Sequence, residues 1–264
     1  MEKRTDKNSY TVIFAIGMVL IVGSLLAYLA SALKPMITEN QRLEKQQNIL
    51  YAMGINNNTP GSATFISTKE APEKFEKYIT DQVVLEVKDG KIVSELSREE
   101  YKEKNAGQEP YLIDVKKQQA NAKAGKNRKL PLFVGEKEGK KFYIAPIRGK
   151  GLWDAIWGYV AMDENMVVQG VYFDHKGETP GLGANIKQRY FMDDFYGEHL
   201  LTDAGAFKGI TISKSNADPT NQDKTDYEID AIAGATITGD GVTAMIKKDL
   251  KLYVPYFKNL KNKQ

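Results

Sequence analysis

Trp157-Gly-Tyr-Val-Ala-Met162-Asp-Glu-Asn-Met166-Val-Val-Gln-Gly-Val-Tyr-Phe173 is the run whose reading decides the fold. Two segments rich in β-branched and aromatic residues, 157–162 and 166–173, flank the polar triplet Asp163-Glu164-Asn165, so the run reads as an antiparallel hairpin. Upstream, Lys141-Phe-Tyr-Ile-Ala-Pro-Ile147 reads as another strand, and Arg148-Gly-Lys-Gly-Leu-Trp153 as a glycine-rich turn displaying an aromatic ring. Downstream, 185–200 reads as a helix with Ile186, Tyr190, Phe191 and Phe195 on one side, and 207–212 as a strand. After Gly241, Val242, Met245, Ile246 and Leu250 again have helical spacing. The sum is an α+β domain, a twisted and mainly antiparallel sheet packed by helices.

Toward the N-terminus the pattern changes. Residues 10–33 carry no charge and as a helix would extend about 36 Å, enough to cross a bilayer. Ala30-Ser-Ala32 resembles a signal-peptidase site, but the apolar run is longer than a signal core, which favours a retained single-pass anchor. Lys3, Arg4 and Lys7 balance Lys34, Arg42 and Lys45, so charge alone does not orient it. A very short tail before a large domain fits a signal anchor with the C-terminal domain outside. Beyond it, 37–53 reads as a polar helix with Leu43, Ile49, Leu50 and Met53 docking on the domain, broken by the turn-forming residues 54–61. A helix over 71–82, a strand over 83–87 and a turn at Asp89-Gly90 follow. Residues 97–140 read as a charged, irregular insert with a basic run at Lys116, Lys117, Lys123, Lys126, Arg128 and Lys129. The expected organisation is a cytoplasmic tail (1–9), a transmembrane helix (10–33), membrane-proximal helices and insert (34–139), the main domain (140–258) and a C-terminal tail (259–264).

Composition excludes several chemistries. The 264 residues hold no cysteine, which removes disulfides, thiol catalysis and iron–sulfur ligation by this chain. Two histidines, His175 and His199, are too few for a histidine-rich metal site, and no metal ligand set is expected. A net charge of +3 with no recognisable motif gives no reason to expect nucleic acid. No Ser-His-Asp or paired-carboxylate set emerges, so stand-alone catalysis is not expected.

Two loops remain. His175-Lys-Gly-Glu178-Thr179-Pro180-Gly181-Leu182-Gly183 is a rigid loop with open backbone that a flat ring or a phosphate could approach. Asp230-Ala-Ile-Ala-Gly234-Ala235-Thr236-Ile-Thr238-Gly-Asp-Gly-Val242 presents hydroxyls among small residues before a helix, and a helix N-terminus suits a phosphate. Each taken bare is a turn. Together they resemble the two signatures of the FMN-binding domain family, Glu-Thr-Pro-Gly-Leu-Gly and Asp-x-x-[Ser/Thr]-Gly-Ala-Thr. The first is intact at 178–183; the second is matched by Asp230, Gly234, Ala235 and Thr236, with Ala233 where the family has Ser or Thr.

The resemblance covers the anchor and 140–258. With Gly-Lys-Gly-Leu-Trp at 149–153 it is similar to the C-subunit family of sodium-translocating NADH:quinone reductases, and to the related G-subunit family of Rnf complexes. It implies an electron-carrying subunit, not a stand-alone enzyme, in a translocase of the bacterial inner membrane, with the domain on the periplasmic side. FMN would be covalent, esterified through its phosphate to Thr236, with Thr238 the competing hydroxyl. Leu152, Trp153, Glu178, Thr179, Pro180, Gly181, Leu182, Gly183, Gly234, Ala235 and Thr238 would surround the flavin. Asp230, Gly234, Ala235 and Thr236 would be recognised by a flavin transferase that uses FAD and magnesium. Implied partners are the A, B, D, E and F subunits of the complex, especially B, D and E, together with membrane lipid. The alternatives are a member of an Rnf-type ferredoxin:NAD reductase, or an anchored binding or assembly domain that is never flavinylated.

Overall fold

The computed structural model describes residues 8–214, 218 and 221–262. The chain forms two units, Met1–Leu43 and Glu44–Gln264. Helix α1 (Asn8–Ala52) begins in the first, with Asn8 and Ser9 already helical; residues 1–7 of the expected tail lie outside the described residues. Its apolar part has a mean hydropathy of 2.6 over 18 residues and none of it is buried, so it is long and apolar enough to cross a membrane. The last turns of α1 belong to the second unit, where Ile49, Leu50 and the following Met53 are buried, as expected for docking residues, whereas Leu43, only half-buried, belongs to the first unit.

The second unit is built on a six-stranded sheet in the order β2-β1-β3-β4-β5-β6, antiparallel throughout. Its strands are β1 (Ile79–Lys88), β2 (Lys91–Leu96), β3 (Arg128–Lys137), β4 (Lys140–Lys150), β5 (Ala155–Met162) and β6 (Val168–His175). The turn at Asp89-Gly90 joins β1 to β2 with φ of +50° and +75°, a conformation that a two-residue hairpin requires at both positions. Residues 142–147 of β4 are buried without interruption, so helices must cover both faces of the sheet there. Backbone close approach seats two of them. A Cβ on Gly170 of β6 would strike the Ala52 carbonyl at the end of α1, and one on Gly149 of β4 would lie 2.8 Å from Met245 Cβ of α6 (Thr236–Leu250).

Several elements differ from the sequence reading. The helix expected at 71–82 is α2 (Ala71–Tyr78) and yields to β1 at Ile79, because Gln82 to Val87 pair along β3. Residues 97–140 are not an irregular insert: they fold as α3 (Arg98–Lys104), α4 (Val115–Lys123) and β3, which lies between β1 and β4, so the sheet runs through the expected boundary at 139/140. Part of the basic run is structural. Arg128, buried, donates 2.9 Å to the fully buried Asp249 of α6, which also accepts from Gln119 of α4 and the Arg148 backbone.

The helix expected over 185–200 is a 3-10 turn (Gly183–Lys187) and the short α5 (Arg189–Asp193). Phe191 and Phe195 enter the core against Phe173, whereas Tyr190 stays exposed. The strand at 207–212 shrinks to β7 (Thr211–Ile212), paired in parallel with β8 (Glu228–Ile229). Gly209, at φ +71° and close against Lys247, bends the residues before it. At the C-terminus α7 (Val254–Lys261) continues past the expected boundary at 258, and 263–264 of the expected tail lie outside the described residues.

Candidate functional site

The glycine-rich turn between β4 and β5, the loop after β6 and the start of α6 meet through one side chain. Glu178 is 4 % exposed. Its Oε1 accepts from the Trp153 N–H at 2.9 Å and the Asp154 N–H at 3.5 Å, while Oε2 accepts from the Leu152 N–H at 3.3 Å and the Thr238 hydroxyl at 2.5 Å. Burial pushes this carboxyl upward, but the Thr238 hydroxyl and three backbone N–H groups outweigh it and hold the pKa below the ordinary value. The Glu178 N–H in turn donates to His175 Nδ1 at 3.2 Å, so His175 orients the loop.

Glycines make the approach possible. A Cβ at Gly183 would collide with Thr238 Oγ1 and the Glu178 carboxylate, and one at Gly151 would lie 2.6 Å from Glu178 Oε1. Gly241 has its Cα against the Lys150 carbonyl, leaving no room for a methyl group. The helix expected after Gly241 therefore begins earlier, at Thr236, with Gly239 and Gly241 inside its first turns as contact points.

The expected site residues divide into buried supports and an exposed face. Glu178, Gly183, Ala235 and Thr238 are buried. Leu152, Trp153 (65 % exposed), Thr179, Pro180, Gly181, Leu182, Gly234 and Thr236 are exposed. Trp153 is thus a surface residue rather than a core one, held by its Nε1–H donating to Thr179 Oγ1 at 3.2 Å. Leu182 lies over Gly234, whose φ of +72° and lack of Cβ admit Leu182 Cδ2 at 2.8 Å from where a Cβ would be. Ile237, exposed beside Thr236, adds an apolar side chain that the motif did not flag.

Thr236 is the first residue of α6, and the preceding Ala235 offers no side-chain cap to the helix. The free N–H groups of that turn and the exposed hydroxyl suit a phosphate monoester, and the apolar side chains nearby suit a flat ring, so the residues present fit FMN. Asp230 is set apart. Its N–H donates to Asp194 Oδ2 at 3.0 Å, and its carboxyl is raised by burial and by the neighbouring Asp194 and Asp218.

Residues 151–251 match the FMN-binding domain family. Over 245 residues the chain is 30 % identical to the C subunit of the Na(+)-translocating NADH-quinone reductase of Pseudomonas aeruginosa, covering 91 % of this chain and 90 % of that protein. The chain belongs to this C-subunit family. The Neisseria meningitidis serogroup B member is 29 % identical over 273 residues, spanning 99 % of this chain and 98 % of its own. A solved C subunit from Parabacteroides distasonis superposes with a TM-score of 0.66 at 28 % identity, over 85 % of this chain and 96 % of that one. For the Shewanella oneidensis NqrC structure the values are 0.61, 23 %, 83 % and 97 %, a likeness of fold. Agreement across nearly the whole chain places 97–140 within the C-subunit pattern, in keeping with β3 being an inner strand.

Proposed function

We propose that this chain is the electron-carrying C subunit of a Na+-translocating NADH-quinone reductase, with FMN esterified through its phosphate to Thr236 Oγ1. The observation that carries the reading is the contrast between two hydroxyls two residues apart: Thr236 is exposed at an uncapped helix start, whereas Thr238 is buried and bonded to Glu178. A flavin transferase working from FAD would form the Thr236 Oγ1–phosphorus bond as the bond to AMP breaks, with the hydroxyl proton leaving. Asp230, Gly234 and Ala235 would belong to the segment it recognises.

Bound FMN supplies the electron transfer. The chain's own residues would hold and orient it. The first N–H groups of α6 would hold the phosphate, and the exposed Leu152, Trp153 and Leu182 would offer apolar surface to the ring. Glu178 fixes the turn bearing Leu152 and Trp153 relative to α6, and would thereby position the surface those residues offer to the ring. Attachment in a domain on the periplasmic side would prevent loss of a cofactor that cannot be replenished there, and the exposed face would serve exchange of electrons with the B, D and E subunits.

The intact mass of denatured protein, made beside an active flavin transferase, tests this reading. The expected result is an addition of one FMN less water, retained in Thr238→Ala and absent in Thr236→Ala. An unmodified wild type would remove the covalent reading, and an addition that survives Thr236→Ala would move the site.

A further inference from the structure

Within the second unit, the last turns of α1, the segment after them and β6 line an open cavity of about 410 Å3. This is within the size range of sites that take small organic ligands. It does not share the flavin-site residues: its walls include Glu44 and Asn48 from the helix, Phe65 from the following segment, Tyr172 and Asp174 from β6, and Lys187.

Two features of the wall suit a ligand. Asn48 is 4 % exposed, and its side-chain amide makes no hydrogen bond to another described residue but opens on the cavity, where water or a ligand can reach it. The charges are also unbalanced. Asp174 is satisfied, accepting from Lys187 Nζ and the Tyr172 hydroxyl, each at 3.0 Å. Glu44, at the open rim, makes no salt bridge among the described residues, so the wall holds two carboxylates to one lysine, with Lys45 beside Glu44 but outside the wall.

The remaining wall selects the kind of cation. Phe65 and Tyr172 stand edge to face with centroids 5.5 Å apart, and Met192 adds a further apolar contact. Aromatic faces attract ammonium and guanidinium groups and pack against an apolar body, whereas a bare metal ion gains little from them. No group of three metal-ligating side chains is present among the described residues.

We propose that this cavity binds a small organic cation, with its ammonium or guanidinium group near Glu44 and Asp174, its apolar body on Phe65 and Tyr172, and a polar contact to the Asn48 amide. Recognition would then combine charge, aromatic surface and one hydrogen bond, and would not depend on the flavin.

The test is calorimetric titration of the full-length protein in detergent with 2-phenylethylamine, beside neutral 2-phenylethanol and anionic 3-phenylpropionate. Saturable one-to-one binding of the amine is expected, at least tenfold tighter than either counterpart. Glu44→Gln should weaken it several-fold, and so should Asn48→Leu, which removes the amide contact. Because Glu44 lies at the exposed rim, its substitution keeps the test valid if Asn48→Leu fails to fold. No saturation by about 10 mM amine, a dissociation constant weaker than any specific site of this size warrants, would overturn the proposal. So would equal binding of the three probes, or amine binding unchanged in Glu44→Gln.

Discussion

The Thr238 hydroxyl donates a 2.5 Å hydrogen bond to Glu178 Oε2, tying the first turn of α6 to the loop after β6. Two threonines in one helical turn therefore have opposite tasks. Thr238 is a buried brace, and Thr236 faces outward. Replacing Thr238 by Val keeps the shape but leaves a buried carboxylate oxygen short of a donor, at a cost of about 1–3 kcal/mol. Thr236→Ala removes an exposed hydroxyl and should stay within about 0.5 kcal/mol of wild type. Urea unfolding of the two variants without flavin checks the contrast; equal midpoints would mean the Glu178 bond contributes nothing.

Glu178 gives the same brace a pH dependence. Its folded pKa lies below the ordinary carboxyl value, so its contribution is present above the unfolded value and is lost as pH falls through the folded one. Glu178→Gln should be destabilised at neutral pH by about 1–3 kcal/mol, since one oxygen no longer accepts from the 152–154 turn. The gap to wild type should narrow in acid. Unfolding midpoints between pH 7 and pH 3 measure it, and a gap that is constant with pH would show that the carboxylate charge is not what matters.

What could be read in the sequence was local. The hairpin of β5 and β6, the Asp89-Gly90 turn and the two motif loops depend on alternation and on glycine and proline, signals carried by neighbouring residues. Strand β3 was hidden for two reasons. Lysines crowd its flanks, and Pro131 sits mid-strand, where proline argues against an inner position. The Pro131 carbonyl accepts from the buried Tyr253 hydroxyl at 2.9 Å, a partner 122 residues away that no local pattern can announce. Arg128 misled in the same way, since its partner Asp249 lies 121 residues on. Glu178 was singled out by its motif, but its work as a brace under the Leu152–Trp153 turn needed the fold.

Gly241 tests the close approach of α6 to β4. An interior helical glycine usually gains up to about 1 kcal/mol on becoming alanine. Here the new Cβ would overlap the Lys150 carbonyl, a backbone atom that cannot swing aside. Gly241→Ala should therefore destabilise by about 1–3 kcal/mol, the cost of overpacking, and shift the 150–154 turn. Thermal unfolding and the fluorescence of the exposed Trp153 report the two effects. A stabilised variant would contradict the contact.

Glu198 should impose a pH dependence of the opposite sign. It is fully buried, Oε1 accepts from Asn221 Nδ2 at 3.0 Å and lies 3.6 Å from Lys224 Nζ, and Oε2 has no partner. Burial, with Asp226 and Asp194 adding to it against Asn221 and Lys224, pushes its pKa up to about 7. Below the ordinary value near 4.5 both states are protonated, so the carboxyl sets no pH trend. Between about 4.5 and about 7 the unfolded chain has released this proton while the folded chain retains it, and stability falls as pH rises. Above about 7 the loss is complete. Glu198→Gln keeps an acceptor for Asn221 and carries no charge, so it should cancel this fall and exceed wild type in stability at pH 8. Denaturation midpoints for both proteins from pH 4.5 to pH 8 decide it: parallel curves would mean that Glu198 titrates as an ordinary carboxylate and that water reaches its second oxygen.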